Sequence, residues 1–271
     1  MTDPLLRIAE ALERLAPPPP RPADPSLHAA YLWREGVLVP ARGFAPLPLA
    51  MLTGMDAQKA ALVNNLERLA AGHAAHDVLL WGARGTGKSA LVSAAVGAVA
   101  GEKGRLALVE VATAGLDSLP GLFDHLAGVP RAFAVYVDDL AFGSPAEARA
   151  LRSLLEGGAE ARPGNVRLIV TSNRRHLVPR DIAEQDSAIN VRDVVDDAMA
   201  LADRFGLSLG FHVVDQDAYL AIVHTYAEAN GLPFDPADAI RWSTQRGSRS
   251  GRVAWQYAVE LAGRHGTTLK R

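Results

Sequence analysis

The fold of this chain is decided by the stretch Gly82-Ala83-Arg84-Gly85-Thr86-Gly87-Lys88-Ser89, which fits the pattern G-x-x-x-x-G-K-[S/T] at every fixed position. Residues 77–81 before it are apolar enough for a short buried strand, and residues 90–96 after it favour a helix. Glycine-rich turns and helix amino termini both aim backbone N–H groups at anions. The stretch therefore predicts a phosphate-binding loop between a strand and a helix.

The fixed residues of this loop each have a chemical task. Gly82, Gly85 and Gly87 allow the tight turn that points the N–H groups inward. The ammonium of Lys88 would reach the β- and γ-phosphates of a nucleotide, and the hydroxyl of Ser89 would bind Mg²⁺. A glycine-rich turn that binds nothing is the alternative, and the flanking strand and helix argue against it.

Composition excludes several classes of protein. The chain has 271 residues, of which 49% are apolar and 21% charged, as in an ordinary globular protein with a sizeable core. It has no cysteine, which excludes disulfides, thiol catalysis and thiolate metal sites. No apolar run is long enough for a membrane span, and the start Met-Thr-Asp-Pro lacks a signal sequence, so we expect a cytoplasmic protein without membrane contact. The net charge of −2 gives no argument for nucleic-acid binding.

The pattern along the chain predicts an α/β core followed by a helical lid. Apolar strand candidates alternate with helix candidates, which indicates a five-stranded parallel sheet covered on both faces. The strands are predicted at 77–81, 105–111, 132–138, 166–172 and 207–213, and the helices at 56–71, 88–100, 115–127, 144–157 and 193–204. Residues 215–265 favour helices only, with Asp215 and Ser250 as candidate caps.

These patterns divide the chain into residues 1–50, a nucleotide-binding core over 51–213 and a lid over 214–271. Residues 26–50 are expected to pack on the core without regular structure. A helix capped by Asp3 and ended by Pro17–Pro20 is predicted near the start. That helix either packs on its own domain or docks a partner.

Polar side chains follow two further strands. Asp138 and Asp139 end one buried strand, and Asn173 ends the next. Asp138 is suited to hold Mg²⁺, and a second acid can orient or deprotonate an attacking water. Asn173 is suited to hold that water, although a lone asparagine at a strand end often serves as a turn cap.

The order of these motifs resembles that of the AAA+ ATPases, which share a P-loop NTPase αβα sandwich. The matching positions are Gly82–Ser89, Asp138-Asp139, Asn173, Asp203-Arg204-Phe205-Gly206 and Gly251-Arg252. The sequence over residues 26–265 resembles more closely a bacterial AAA-type family catalogued as a domain of unknown function. The stretches that look like its hallmarks are Trp81–Ser89, Leu154–Gly158, Thr171–Leu177, Asp203–Leu207 and Arg249–Arg252.

The resemblance implies roles for two arginines. Arg204 would be an arginine finger that completes a neighbouring subunit's site, which implies a homo-oligomer, with a ring of about six subunits as the family pattern. A surface Arg–Asp pair is the alternative for Arg204. Arg252 would reach the phosphates from the lid in the same chain, with Arg249 as the alternative. AAA+ proteins commonly have Asp-Glu where this chain has Asp138-Asp139, so the shorter second acid indicates slow turnover.

The sequence thus predicts an AAA+ ATPase with ATP and Mg²⁺ as cofactors, Asp139, Asn173, Arg204 and Arg252 in catalysis, and an unidentified protein or nucleic acid as client. The alternative is an ATP-dependent binding switch with little turnover. A small-molecule kinase is a third possibility, which the helical lid and the finger argue against. The basic segment Arg174–Arg180 can contact nucleic acid or a partner, but the acids that follow favour a solvated loop or a salt-bridged interface.

Overall fold

The structure is a computed structural model, which describes residues 3–5, 7–8, 22–101, 104–140, 155, 162–173 and 204–269. The predicted helices at 144–157 and 193–204 lie outside these ranges except for Leu155 and Arg204. The segments Arg174–Arg180 and Glu156–Gly158 also lie outside them, as does Asp203.

A mixed sheet forms the centre of the described part of the chain. Its strand order is β2-β1-β4-β5-β6-β3-β7. The strands are β1 (Ala30–Arg34), β2 (Val37–Pro40), β3 (Val78–Gly82), β4 (Leu106–Val111), β5 (Ala132–Val137), β6 (Val166–Ser172) and β7 (Leu207–Phe211). All neighbouring strands pair in parallel except β1 and β2. The predicted α/β class is confirmed.

The predicted sheet of five strands was too small, because residues 26–50 contribute β1 and β2. These strands form a hairpin whose turn residues Glu35 and Gly36 have φ of 51° and 77°. Two consecutive positive φ values match the right-handed twist of a two-residue hairpin. Both strands are short apolar runs without the alternation of apolar and polar residues that marks a half-buried strand, and prolines stand near them. The expectation that it lacks regular structure was therefore wrong.

Helices cover both faces of the sheet. On one face, α1 (Asp56–Ala70) and α2 (Lys88–Ala100) pack their leucines and valines against the strands in one apolar cluster. On the other face, α3 (Leu119–Leu126) packs with Trp33 and Phe133 in a second cluster. Short 3₁₀ turns stand at Leu49–Met51 and Thr113–Ser118. The sheet is thus buried between helical layers, as its near-continuous apolar strands predict.

The last part of the described chain is helical and has its own apolar cluster. It comprises α4 (Gln216–Ala229), α5 (Pro236–Gln245) and α6 (Gly251–Arg264). Asp215 and Ser250 cap α4 and α6 by accepting hydrogen bonds from backbone N–H groups, as predicted. Thr53 and Thr225 share a hydrogen bond of 2.8 Å between their hydroxyls, which ties α4 to the segment before α1.

Near the start of the chain, the N–H of Leu5 donates to the carboxylate of Asp3 at 2.9 Å, the geometry of an N-cap. The side chains of Leu5 and Ile8 are exposed. The remainder of the predicted apolar stripe, Leu12 and Leu15, lies outside the described residues. Within the part of the chain that the structure describes, no helix has the length and apolar character needed to cross a membrane.

Candidate functional site

The predicted phosphate-binding loop joins β3 to α2, as the sequence indicates. Gly82, Gly85 and Gly87 have φ of 134°, 76° and 96°. A Cβ on Gly82 would lie 1.9 Å from the carbonyl oxygen of Phe211 in β7. A Cβ on Gly87 would lie 2.9 Å from the terminal methyl of Met55. Gly82 is therefore required both by its backbone conformation and by the close approach of the Phe211 backbone. At Gly87 the positive φ favours glycine, because only the flexible end of Met55 would have to move.

Lys88 begins α2 and is buried, with 7% of its surface exposed. Its Nζ donates to the carbonyl oxygens of Gly82 and Ala83, each at 2.8 Å. The Oδ1 of Asn173 lies 3.4 Å from the same nitrogen. Burial lowers the pKa of the Lys88 ammonium, while the carboxylates of Asp139 and Asp138 oppose that shift. These carbonyl oxygens hold the ammonium inside the loop. Anionic phosphate oxygens would accept stronger hydrogen bonds from it than the carbonyl oxygens do.

Ser89 and Asp138 meet at the carboxyl end of β5. The Ser89 hydroxyl donates to Oδ1 of Asp138 at 2.9 Å. Burial raises the pKa of the Asp138 carboxyl, but hydrogen bonds from Thr171, Tyr136 and Ser89 outweigh burial, so the net shift is downward. A hydroxyl and an ionised carboxylate at this separation are the oxygen donors that Mg²⁺ prefers. The two side chains therefore fit a magnesium site beside the loop.

Asp139 and Asn173 are also brought together. The side-chain amide of Asn173 donates to Oδ1 of Asp139. Nη2 of Arg84, from the phosphate loop, lies 3.6 Å from Oδ2 of the same carboxylate. Asp139 itself has a φ of 51°, which is uncommon for a residue other than glycine. The second acid is thus engaged on both oxygens by groups of the same site.

The lid reaches the loop through the start of α6. The N–H of Arg252 donates to the carbonyl oxygen of Gly85 at 3.3 Å. Arg252 lines a cavity of about 800 Å³, a volume within the range of small-molecule sites. Arg249 instead lines a neighbouring cavity of about 530 Å³ together with Arg84. This placement favours Arg252 over Arg249 as the lid arginine.

The larger cavity is lined by apolar side chains as well as polar groups, which the sequence did not reveal. Its polar lining includes Lys88, Ser89, Asp138, Asp139 and Asn173. Its apolar lining comes from both the core and the lid and includes Met51, Met55, Val213, Ile222, Tyr226 and Trp255. Only the packing of the lid on the core shows that these side chains share a cavity with the loop.

Arg204 does not line this cavity. It precedes β7, which pairs in parallel with β3, so that Val78 aligns with Leu207 and Gly82 with Phe211. Arg204 therefore lies at the amino end of these strands, while the phosphate loop lies at their carboxyl end. Five residues of strand separate the two ends by roughly 16 Å. The geometry is consistent with a role for Arg204 outside its own chain's site.

Comparisons with known proteins agree with this architecture. Residues 26–265 match the family described as "Protein of unknown function (DUF815)". A comparison with curated proteins finds no match.

Among solved structures, the RuvB Holliday junction branch migration motor of Thermotoga maritima is similar with a TM-score of 0.53 at 17% identity, over 83% of this chain and 68% of that one. The ORC2 protein of Aeropyrum pernix gives 0.56 at 16% identity, over 85% and 68% of the two chains. The Aeropyrum pernix ORC1 protein in complex with DNA gives 0.55 at 17% identity, over 83% and 63%. At these identities the likeness shows the fold, which is that of the AAA+ P-loop ATPases.

Proposed function

Because the chain belongs to the family described as "Protein of unknown function (DUF815)" and has the AAA+ P-loop ATPase fold, we propose that it binds MgATP and hydrolyses it. One observation carries the proposal. The loop lysine, the Ser89–Asp138 pair, the Asp139–Asn173 pair and the lid arginine all line one cavity of about 800 Å³. Each group has the charge or hydrogen-bonding capacity that a bound triphosphate requires.

The binding roles follow from the positions of these groups. The N–H groups of the loop and the ammonium of Lys88 would hold the β- and γ-phosphates, and the apolar side chains that line the cavity would take the base. Ser89 and Asp138 would hold Mg²⁺, which supplies charge neutralisation on the phosphate oxygens. These assignments rest on the geometry of the donor atoms and on the motif that the loop matches.

The hydrolytic roles go one step further. We propose that Asp139 and Asn173 orient the attacking water in line with the γ-phosphate. Arg252 would neutralise developing charge from the lid, and Arg204 would do so from the next subunit of a homo-oligomer, a ring of about six by family resemblance. The placement of Arg204 at the far end of β7 from its own loop supports this arrangement in trans.

The client of the ATPase is proposed only as a class. The similar structures include a Holliday junction branch migration motor and a protein in complex with DNA, which makes a macromolecule, either nucleic acid or protein, the expected client. Remodelling of such a client would use the energy of hydrolysis. The fold also accommodates a small-molecule kinase, but the helical lid and the proposed role of Arg204 in trans favour an oligomeric ATPase.

Phosphate release from MgATP, measured over a wide range of protein concentration, tests the proposal. We expect the activity per subunit to rise with concentration, because each site needs Arg204 from a neighbour. A substantial rate that does not depend on concentration would contradict the shared site and favour a self-contained NTPase or kinase. The same samples, examined by light scattering with and without MgATP, report assembly directly.

A nucleotide-dependent binding switch is the second candidate, and a specific contact favours it. Asp139 is held by Asn173 and Arg84, and its side chain is one methylene shorter than the glutamate common at this position. A switch would bind ATP and assemble but release no phosphate in the experiment above. Replacement of Asp139 by glutamate would then be expected to raise turnover.

Replacing Arg252 with alanine is expected to weaken ATP binding more than ADP binding, by about tenfold for the loss of one charge-assisted contact with the γ-phosphate. Replacing Arg249 with alanine is the matched control, because Arg249 lies in the connection between α5 and α6 and lines the other cavity. Titration of both nucleotides into both variants by calorimetry measures the difference. A larger effect of the Arg249 change would reverse the assignment.

A further inference from the structure

Four donors converge on a single oxygen of Asp138. The phenol of Tyr136 donates to Oδ1 at 2.6 Å, the Ser89 hydroxyl at 2.9 Å and the N–H of Asp139 at 3.1 Å. The hydroxyl of Thr171 donates to the same oxygen. Within the described residues, every hydrogen bond observed for this carboxylate goes to Oδ1 and none goes to Oδ2, and Asp138 lines the cavity.

Two of these donors are buried and rigidly placed. Tyr136 belongs to β5 and is 4% exposed, and Thr171 belongs to β6 and is 1% exposed. The strands pair in parallel, with Val137 beside Val170, so Thr171 follows directly beside Asp138. A buried hydroxyl without a partner costs free energy, so both hydroxyls are committed to the carboxylate.

The Ser89 hydroxyl has a different position in this set. As a magnesium ligand it would offer a lone pair of its oxygen to the cation, while its O–H can still donate to Asp138. Tyr136 and Thr171 differ from it because they hold the carboxylate without themselves binding the metal. Groups that orient a ligand in this way commonly change metal affinity by about 10- to 100-fold when they are removed.

Thr171 also contacts the second acid. Its Oγ1 accepts the N–H of Asp139 at 2.8 Å. The one hydroxyl therefore links the carboxylate of the first acid to the backbone of the second.

We propose that Tyr136 and Thr171 are positioning residues for the magnesium site, which hold Oδ1 of Asp138 and present Oδ2 to the cation or to a water of its shell. Thr171 also sets the backbone position of Asp139. The proposal rests on the proposed MgATP site and deepens it. It assigns the two oxygens of Asp138 to different tasks, one structural and one for the metal.

The test compares Tyr136→Phe, Thr171→Val and Thr171→Ser by binding of a fluorescent ATP analogue, first in EDTA and then along a titration with MgCl₂. We expect Tyr136→Phe and Thr171→Val to raise the Mg²⁺ concentration at half-saturation by about tenfold or more, with unchanged affinity in EDTA. Thr171→Ser keeps the hydroxyl and should restore the wild-type response. At saturating Mg²⁺, Thr171→Val should hydrolyse ATP more slowly than Tyr136→Phe, because it also displaces Asp139.

Tyr219→Phe is the matched control, because it removes a buried tyrosine hydroxyl in the lid that donates to the carbonyl oxygen of Ala239. Thermal unfolding of each variant without nucleotide shows that the fold is retained. A normal Mg²⁺ response in both Tyr136→Phe and Thr171→Val would overturn the assignment and leave the proposed function standing. Wild-type protein that binds the analogue without any response to Mg²⁺ would contradict the proposed function, and the assignment with it.

Discussion

Replacement of Lys88 by alanine is expected to abolish measurable ATP binding. Lys88 is 7% exposed, and its ammonium donates to two carbonyl oxygens of the loop at 2.8 Å. Alanine removes the only charge that the loop motif itself directs at the β- and γ-phosphates. Each hydrogen bond between the ammonium and a phosphate oxygen contributes about 1.5–3 kcal/mol. The loss of two such bonds therefore weakens ATP binding by at least about 100-fold.

Isothermal titration of ATP into the variant measures this loss. Lys59→Ala is the matched control, because Lys59 is a lysine of α1 that pairs with Asp56 at 2.7 Å and does not line the cavity. The control should bind ATP as the wild type does. Equal ATP affinity of the Lys88 variant and the wild type would refute the assignment of the site.

Replacement of Arg204 by alanine is expected to leave ATP binding unchanged and to remove hydrolysis. A guanidinium supplied from a neighbouring subunit stabilises charge on the transferred phosphoryl group and contributes about 10³–10⁵ in rate. Arg204 does not line the cavity of its own chain, so the affinity for ATP should not depend on it. Arg204→Lys keeps the charge but loses the planar fork, and we expect it to recover little activity.

A mixing experiment separates a role in trans from a role in the same chain. The Lys88→Ala chain cannot bind ATP but retains Arg204, while the Arg204→Ala chain binds ATP but lacks the finger. Each is inactive alone, and a mixture should recover part of the wild-type phosphate release because one chain completes the site of the other. Full turnover by the Arg204→Ala chain alone would exclude the shared site, and a mixture that stays inactive would argue against action in trans.

The convergence of the site was predictable because parallel strands place their carboxyl ends at one edge of a sheet. Asp138 follows β5 and Asn173 follows β6, and β6 pairs with β3, which leads into the loop. A short-range pattern therefore located side chains that are far apart in sequence. What each of them does in binding and hydrolysis stays a prediction until the variants above are measured.

The size of the sheet was not predictable in the same way. The strand β1 pairs in parallel with β4 and extends the sheet beyond the five strands expected. Its apolar residues lie between prolines and in a segment of weak periodicity, so local pattern favoured an irregular segment. Burial of Tyr31 and Leu38 in the core stabilises the strands β1 and β2. That contribution depends on long-range packing and not on the local sequence pattern.

The sequence by itself determined the phosphate loop, the α/β class, the strand ends that carry the acids and the caps of the lid, because each depends on neighbours in the chain or on a general rule of strand pairing. Only the tertiary structure decided which oxygen of Asp138 accepts the hydrogen bonds from Tyr136 and Thr171. It also decided that Arg252 rather than Arg249 lines the larger cavity. The physical reason is that hydrogen bonds between neighbouring strands and contacts between lid and core depend on register and orientation. Both are set by the packing of the whole molecule, which local periodicity does not encode.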